Sequence, residues 1–122
     1  MRLLTESVVG CPRLLRAGVK RARLRMIRQV CRAGKRHRVP VSLCGEMASD
    51  PALVGLLIGL GLTEFSMTPG AIPVARQVLA ELRRDDLRAL ARRVMRLATV
   101  DEIERELMAA LGRLSPIKGV AP

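Results

Sequence analysis

Residues 41–67, VSLCGEMASDPALVGLLIGLGLTEFSM, constrain the fold more than any other stretch. Two short apolar runs, Val41–Cys44 and Thr63–Met67, flank a helical segment marked at both ends. Asp50 is a strong N-cap, because its carboxylate can accept the free N–H groups of the first turn. Pro51 follows at the first helical position, where a missing N–H costs nothing. Gly61 can take the left-handed conformation that closes the helix near Leu60. Strand, ten-residue helix and strand form a βαβ unit, with parallel pairing and a right-handed crossover. The helix is apolar on most sides and is therefore expected to be buried. Gly55 and Gly59 would weaken it in isolation; they fit a helix that a neighbour approaches closely.

The flanking segments read mainly as helix. From Val19 to Arg36, Leu24, Ile27, Cys31 and Val30 recur at helical spacing, with Lys and Arg filling the rest and Gly34 as the expected stop. Ile72-Pro73 opens another helix, with Val74, Val78, Leu79 and Leu82 as its expected inner face. The next has Asp85 or Asp86 as cap and Leu87, Leu90, Val94 and Leu97 inside. Thr99-Val100-Asp101-Glu102 fits a capping box that starts a last helix ending near Gly112. Residues 1–18 show no period and read as an irregular basic leader; the segment from Ser115 reads as a loose tail. Two strands cannot make a stable parallel sheet alone. The expected architecture is the end of a larger α/β structure.

Composition limits the functions open to the chain. It has one Phe and neither Tyr nor Trp, so the core must be aliphatic. No apolar run reaches the roughly 18–20 residues of a membrane span, and no signal peptide stands out; the expected location is cytoplasmic. Three cysteines, Cys11, Cys31 and Cys44, are odd in number and match no zinc spacing, which points to reduced thiols and no metal site. The net charge of +11 is uneven. Residues 1–38 hold twelve basic residues against Glu6, while residues 39–122 hold ten of each sign. Such a segment can attract nucleic acid or anionic lipid. The chain nevertheless lacks interleaved aromatics and any nucleic-acid-binding fingerprint. A charged solvent face is the commoner explanation. The sole histidine, His37, reads as a surface residue.

Chemistry in α/β proteins concentrates at the C-terminal ends of strands. Cys44 sits at such an end, Gly45 allows the backbone to turn there, and Glu46 can orient groups beside the thiol. A cysteine so placed can serve as nucleophile, acid or metal ligand, or simply pack. Residues 44–76, CGEMASDPALVGLLIGLGLTEFSMTPGAIPVAR, resemble the C-terminal signature of phosphoenolpyruvate-utilising enzymes. Within that family they are most similar to the enzyme I branch, the phosphoenolpyruvate–protein phosphotransferases of bacterial phosphotransferase systems. The resemblance is carried by Cys44-Gly45-Glu46-Met47, Asp50, Gly59-Leu60-Gly61-Leu62, Ser66-Met67 and Ile72-Pro73. Ser49 and Gly70 depart from it slightly.

The resemblance implies a partial (β/α)₈ TIM barrel: its last two βα units plus C-terminal helices, over residues 19–122. It implies phosphoenolpyruvate as substrate, Mg²⁺ as cofactor, a histidine-phosphorylated carrier protein as partner and a homodimer as assembly. Cys44 would be the catalytic acid that protonates the enolate left when the phosphoryl group departs. A thiol, mostly protonated at neutral pH, suits that step. Gly45 and Glu46 would touch substrate; Glu46, Ser66 and Met67 match the motif and could line the pocket, although a supporting or packing role is the commoner one for all three. The family's substrate arginines, Mg²⁺ carboxylates and phosphoryl-accepting histidine have no counterpart in this chain, so no activity is expected from it alone. Two alternatives stand beside this reading: a non-enzymatic interaction or dimerisation module, and a basic nucleic-acid binder.

Overall fold

In the computed structural model, Leu3–Leu4 and residues 20–114 are described. Strand β1 (Leu3–Leu4) is followed by α1 (Arg21–His37), β2 (Ser42–Leu43), the single turn α2 (Glu46–Ser49) and α3 (Pro51–Leu60). Then come β3 (Glu64–Ser66), α4 (Ala71–Ala80), α5 (Arg84–Val94) and α6 (Val100–Leu114). The three strands form one parallel sheet in the order β1-β3-β2. Leu43 and Leu3 both stand opposite Phe65. The fold is thus α/β, with a small parallel sheet and a majority of helix. Residues 1–18, the expected leader, and the tail from Ser115 lie outside the described residues, apart from Leu3–Leu4. That pair adds a third strand to the two legible in the sequence.

Helix α3 sits at the centre. Leu53, Val54, Leu56, Leu57 and Leu60 are all buried, so its apolar residues are covered on most sides, with Ala52 and Ile58 partly buried. Asp50 caps it as expected: its carboxylate accepts from the Ala52 N–H at 2.9 Å. Burial raises the Asp50 pKa, and the Ala52 bond partly offsets this. Gly61 closes the helix at φ 111°, and the Leu62 N–H donates to the Leu57 carbonyl at 3.0 Å. Helix α5 lies along α3 at Gly55 and Gly59, the close neighbour those glycines anticipate.

Four helix details differ from the sequence reading. Gly34 does not stop α1; it is buried within it, against the Val41 side chain and the Val39 carbonyl. The helix runs on to His37 and closes at Arg38, which takes the left-handed conformation at φ 57°. Val30 is 49% exposed, because the inner stripe runs through Leu24, Ile27, Cys31 and Gly34, one helical step away. In α4 the stripe is Ala75, Val78 and Leu79, and Val74 lies outside it at 39% exposure. Small Ala75 carried too little hydrophobic signal to mark the centre. Neither Asp85 nor Asp86 caps α5: Arg83 holds that position, and both acids sit in the first turn, where they favour the positive end of the helix dipole.

The capping box at α6 is present. The Glu102 N–H donates to Thr99 Oγ1 at 3.2 Å. The Glu102 carboxylate accepts from the N–H groups of Thr99 and Ala98 at 2.9 and 3.0 Å. The Thr99 bond foremost, then the Ala98 bond, holds the carboxyl below its ordinary 4.5. A lowered folded-state value means the stabilisation is present above 4.5 and is lost as pH falls through the depressed value. Glu102→Ala is therefore expected to lower the melting temperature at pH 7. The gap from the parent should shrink in melts near pH 3, roughly one unit below an ordinary Glu. A gap unchanged at acid pH would contradict this.

Candidate functional site

The site begins with the alternation of strand side chains. Successive residues point to opposite faces. Phe65 and Met67 are buried at 1% each, and Leu43 packs against the same core. Ser42, Cys44, Glu64 and Ser66 therefore share the other face. Ser42 stands opposite Glu64, and continuing the register by one residue sets Cys44 beside Ser66. The sheet has one apolar face against the helices and one polar face.

Cys44 lies one residue beyond β2, at its C-terminal end, and is exposed. Gly45 follows at φ 94° and ψ −167°, a conformation open essentially to glycine alone. It turns the chain directly into α2, where Ala48 is buried and anchors the loop from below. Glu46 is exposed on the first residue of that turn. Ser49 Oγ accepts from the Thr68 N–H at 3.4 Å. The loop after β2 is thereby joined to the loop after β3. Because the strands are parallel, both loops leave the same edge of the sheet.

Of the residues expected at the site, Cys44, Gly45 and Glu46 share this edge, and Ser66 adjoins it. Met67 does not face the site: it is buried in the core. Two residues that the sequence reading passed over belong to the neighbourhood. Glu64 is half-buried on the same face as Cys44; the two-residue period of Thr63–Met67 was its signal. Arg23, near the start of α1, donates through Nη1 to Met47 Sδ at 3.9 Å. It brings a guanidinium to the loop that follows Cys44. No local pattern marked it, since it is one arginine among many.

The other described thiol, Cys31, is buried under α1, and burial raises its pKa. It lies against Gly61 and is only 5% exposed. Cys11 is outside the described residues. His37 is exposed in the last turn of α1. Among the described residues no group of three or more His, Cys, Asp and Glu side chains could hold a metal ion. Among them, too, no helix is long and apolar enough to cross a membrane.

The exposed Cys44 thiol thus stands at the C-terminal edge of a parallel sheet in an α/β protein, where the two strand-end loops are joined. Residues 14–84 match the family described as PEP-utilising enzyme, PEP-binding domain, and the chain belongs to that family. It is similar to the phosphoenolpyruvate-protein phosphotransferase of Mycoplasma genitalium, with 40% identity over 87 residues, 71% of this chain and 15% of that protein. The Chlamydia trachomatis protein of the same name is 38% identical over 84 residues, 69% of this chain and 15% of its own length. That of Staphylococcus carnosus is 38% identical over 80 residues, 66% and 14%. The chain thus spans about 15% of the length of the curated relatives it matches.

Proposed function

We propose that this chain is the proton-donor end of a phosphoenolpyruvate-binding barrel in a phosphoenolpyruvate–protein phosphotransferase. The carrying observation is the exposed Cys44 thiol at the sheet edge, inside the matched residues 14–84. In this reading residues 19–122 supply the last two βα units and C-terminal helices of a (β/α)₈ barrel. The parallel pairing of β2 with β3, with α3 crossing between them, supports it. The whole enzyme would move the phosphoryl group from phosphoenolpyruvate to a protein histidine and release pyruvate.

The balance of the step assigns Cys44 its part. Transfer of the phosphoryl group breaks the O–P bond and leaves the pyruvate enolate. The Cys44 S–H delivers a proton to the methylene carbon, the enolate collapses to the ketone, and the thiolate regains a proton from water. Gly45 lets the thiol reach past the strand end, and Ser66 flanks it on β3. Mg²⁺, if used, supplies charge neutralisation on the phosphate. The described residues bring no group of three or more His, Cys, Asp and Glu side chains together to hold it, and the roles proposed here are those of the acid and its loop. The carrier protein and the cytoplasmic location belong to the same proposal, as does pairing of two copies.

A segment exchange tests the reading. Residues matching this chain in the Staphylococcus carnosus relative are replaced by residues 14–84. The chimera is expected to keep phosphoenolpyruvate-dependent phosphorylation and pyruvate release. A folded chimera that no longer binds phosphoenolpyruvate would overturn the proposal.

A further inference from the structure

The cationic side chains of α1 are separate from the Cys44 edge in what they demand. From Lys20 to Arg38 the chain carries seven arginines and two lysines, and no acid occurs between Glu6 and Glu46. The helix is 17 residues long, about 25 Å at 1.5 Å per residue. Arg21–Arg25, Arg28–Arg32 and Arg32–Arg36 are like charges four residues apart, a spacing that destabilises a helix. The first turn has no acid to suit the helix dipole. An ordinary solvated helix face mixes signs, as α5 and α6 do. There Arg93 pairs with Glu106 at 2.8 Å, and Arg113 joins the same carboxylate at 3.2 Å. Setting Arg23 aside, none of the α1 cations has an ion pair among the described residues. Three of them converge: Arg25, Arg28 and Arg32, with Gln29, line a cleft of about 310 Å³ closed on one side by Met95 at the end of α5.

The geometry points to a polyphosphate backbone as the missing counter-charge, and we propose that this face of α1 binds duplex nucleic acid without reading its sequence. Guanidinium forks match phosphate oxygens two at a time. Backbone binding draws on counterion release and needs no apolar anchor, whereas a protein partner would be held by buried aromatic or apolar hot spots. On α1 the only large apolar residues that are well exposed are Met26 and Val30. A membrane surface would need the helix's apolar face, and that face is buried in the core through Leu24 and Cys31. The single aromatic residue, Phe65, is buried too. No base can stack on it, which favours the duplex over a single strand.

The test uses the full chain and fluorescence anisotropy with two labelled 20-base-pair duplexes of unrelated sequence. Both are expected to bind alike at roughly 50 mM salt, in the 10⁻⁴–10⁻⁶ M range of non-specific binding or tighter. The logarithm of affinity should fall linearly with the logarithm of salt. The triple variant R25Q/R28Q/R32Q should lower the slope by about 2.7, at 0.9 for each phosphate no longer neutralised. Glutamine is a good helix former and relieves the repulsion, so this variant should melt no lower than the parent. R25K/R28K/R32K should keep the slope, and R83Q/R84Q/R88Q should leave binding unchanged. Absence of salt-dependent binding, or an unaltered slope in the triple-glutamine variant, would overturn the proposal. So would poly-glutamate or free tripolyphosphate binding as tightly as the duplex.

Discussion

Cys44→Ala in the active chimera is expected to slow pyruvate release by about 10²–10⁴-fold, the usual contribution of a positioned general acid. Stability should move by less than about 0.5 kcal/mol, because the side chain is exposed and leaves no cavity. The affinity for phosphoenolpyruvate should change little, since the proton transfer comes after the substrate's phosphate has been engaged. Cys44→Ser should resemble alanine more than cysteine, because a hydroxyl is a far weaker acid than a thiol. A steady-state assay that separates kcat from KM distinguishes this role from simple packing. Equal turnover in the parent chimera and its Cys44→Ala variant would remove the thiol from the chemistry. Loss of activity in the parent chimera would instead count against the barrel assignment.

That expectation depends on a strand only two residues long. Ser42–Leu43 is held to β3 through the pairs Ser42–Glu64 and Leu43–Phe65. The buried Phe65 and half-buried Leu43 turn the odd-numbered residues of both strands to the core. Cys44 then faces the polar side. A shift of one residue in this register would bury the thiol and expose Leu43. The exposure of Cys44 is therefore a consequence of the core contact made by its neighbours, not of its own chemistry.

The same logic explains what could be read in the chain and what could not. Helix α3 was legible because its signals are local: Asp50 and Pro51 begin it and Gly61 ends it. The end of β2, one residue before Cys44, was legible to within a residue through Pro40, Gly45 and the following helix start. The faces of α1 and α4 were less so. Val30 and Val74 are hydrophobic by type, but the contacts that set each helix's rotation are made by Gly34 and Ala75, which carry weak signals. Strand β1 had no sequence signal, since two leucines acquire strand character only by pairing with Phe65 and Ser66. Arg23 reaches the site through a contact between α1 and α2, 24 residues apart, and no spacing rule relates those positions. Short-range chemistry was visible; long-range placement was not.

Gly59 offers the sharpest test of how α3 and α5 fix that placement. A Cβ built on Gly59 falls inside contact distance of the Leu87 carbonyl oxygen and lies 2.8 Å from the Leu87 carbonyl carbon. Both are backbone atoms in the first turn of α5, so no rotamer change can relieve the clash. At Gly55 the nearest atom is Leu87 Cδ2 at 3.1 Å, the far end of a flexible side chain. Overpacking costs about 1–3 kcal/mol, while replacing glycine by alanine in a helix returns about 1 kcal/mol. With the clash at the upper end, Gly59→Ala is expected to lose about 2 kcal/mol. Gly55→Ala should come within roughly 0.5 kcal/mol of neutral, the propensity gain offsetting a small shift of Leu87. Urea titration of the full chain reads both variants, and equal midpoints would show that α5 does not approach α3 as closely as described. Because α3 connects β2 to β3, opening this contact should also loosen the loops that carry Cys44 and Ser49. Cys44→Ala, by contrast, should leave the urea midpoint of the full chain unchanged, because its side chain is exposed and takes no part in that contact.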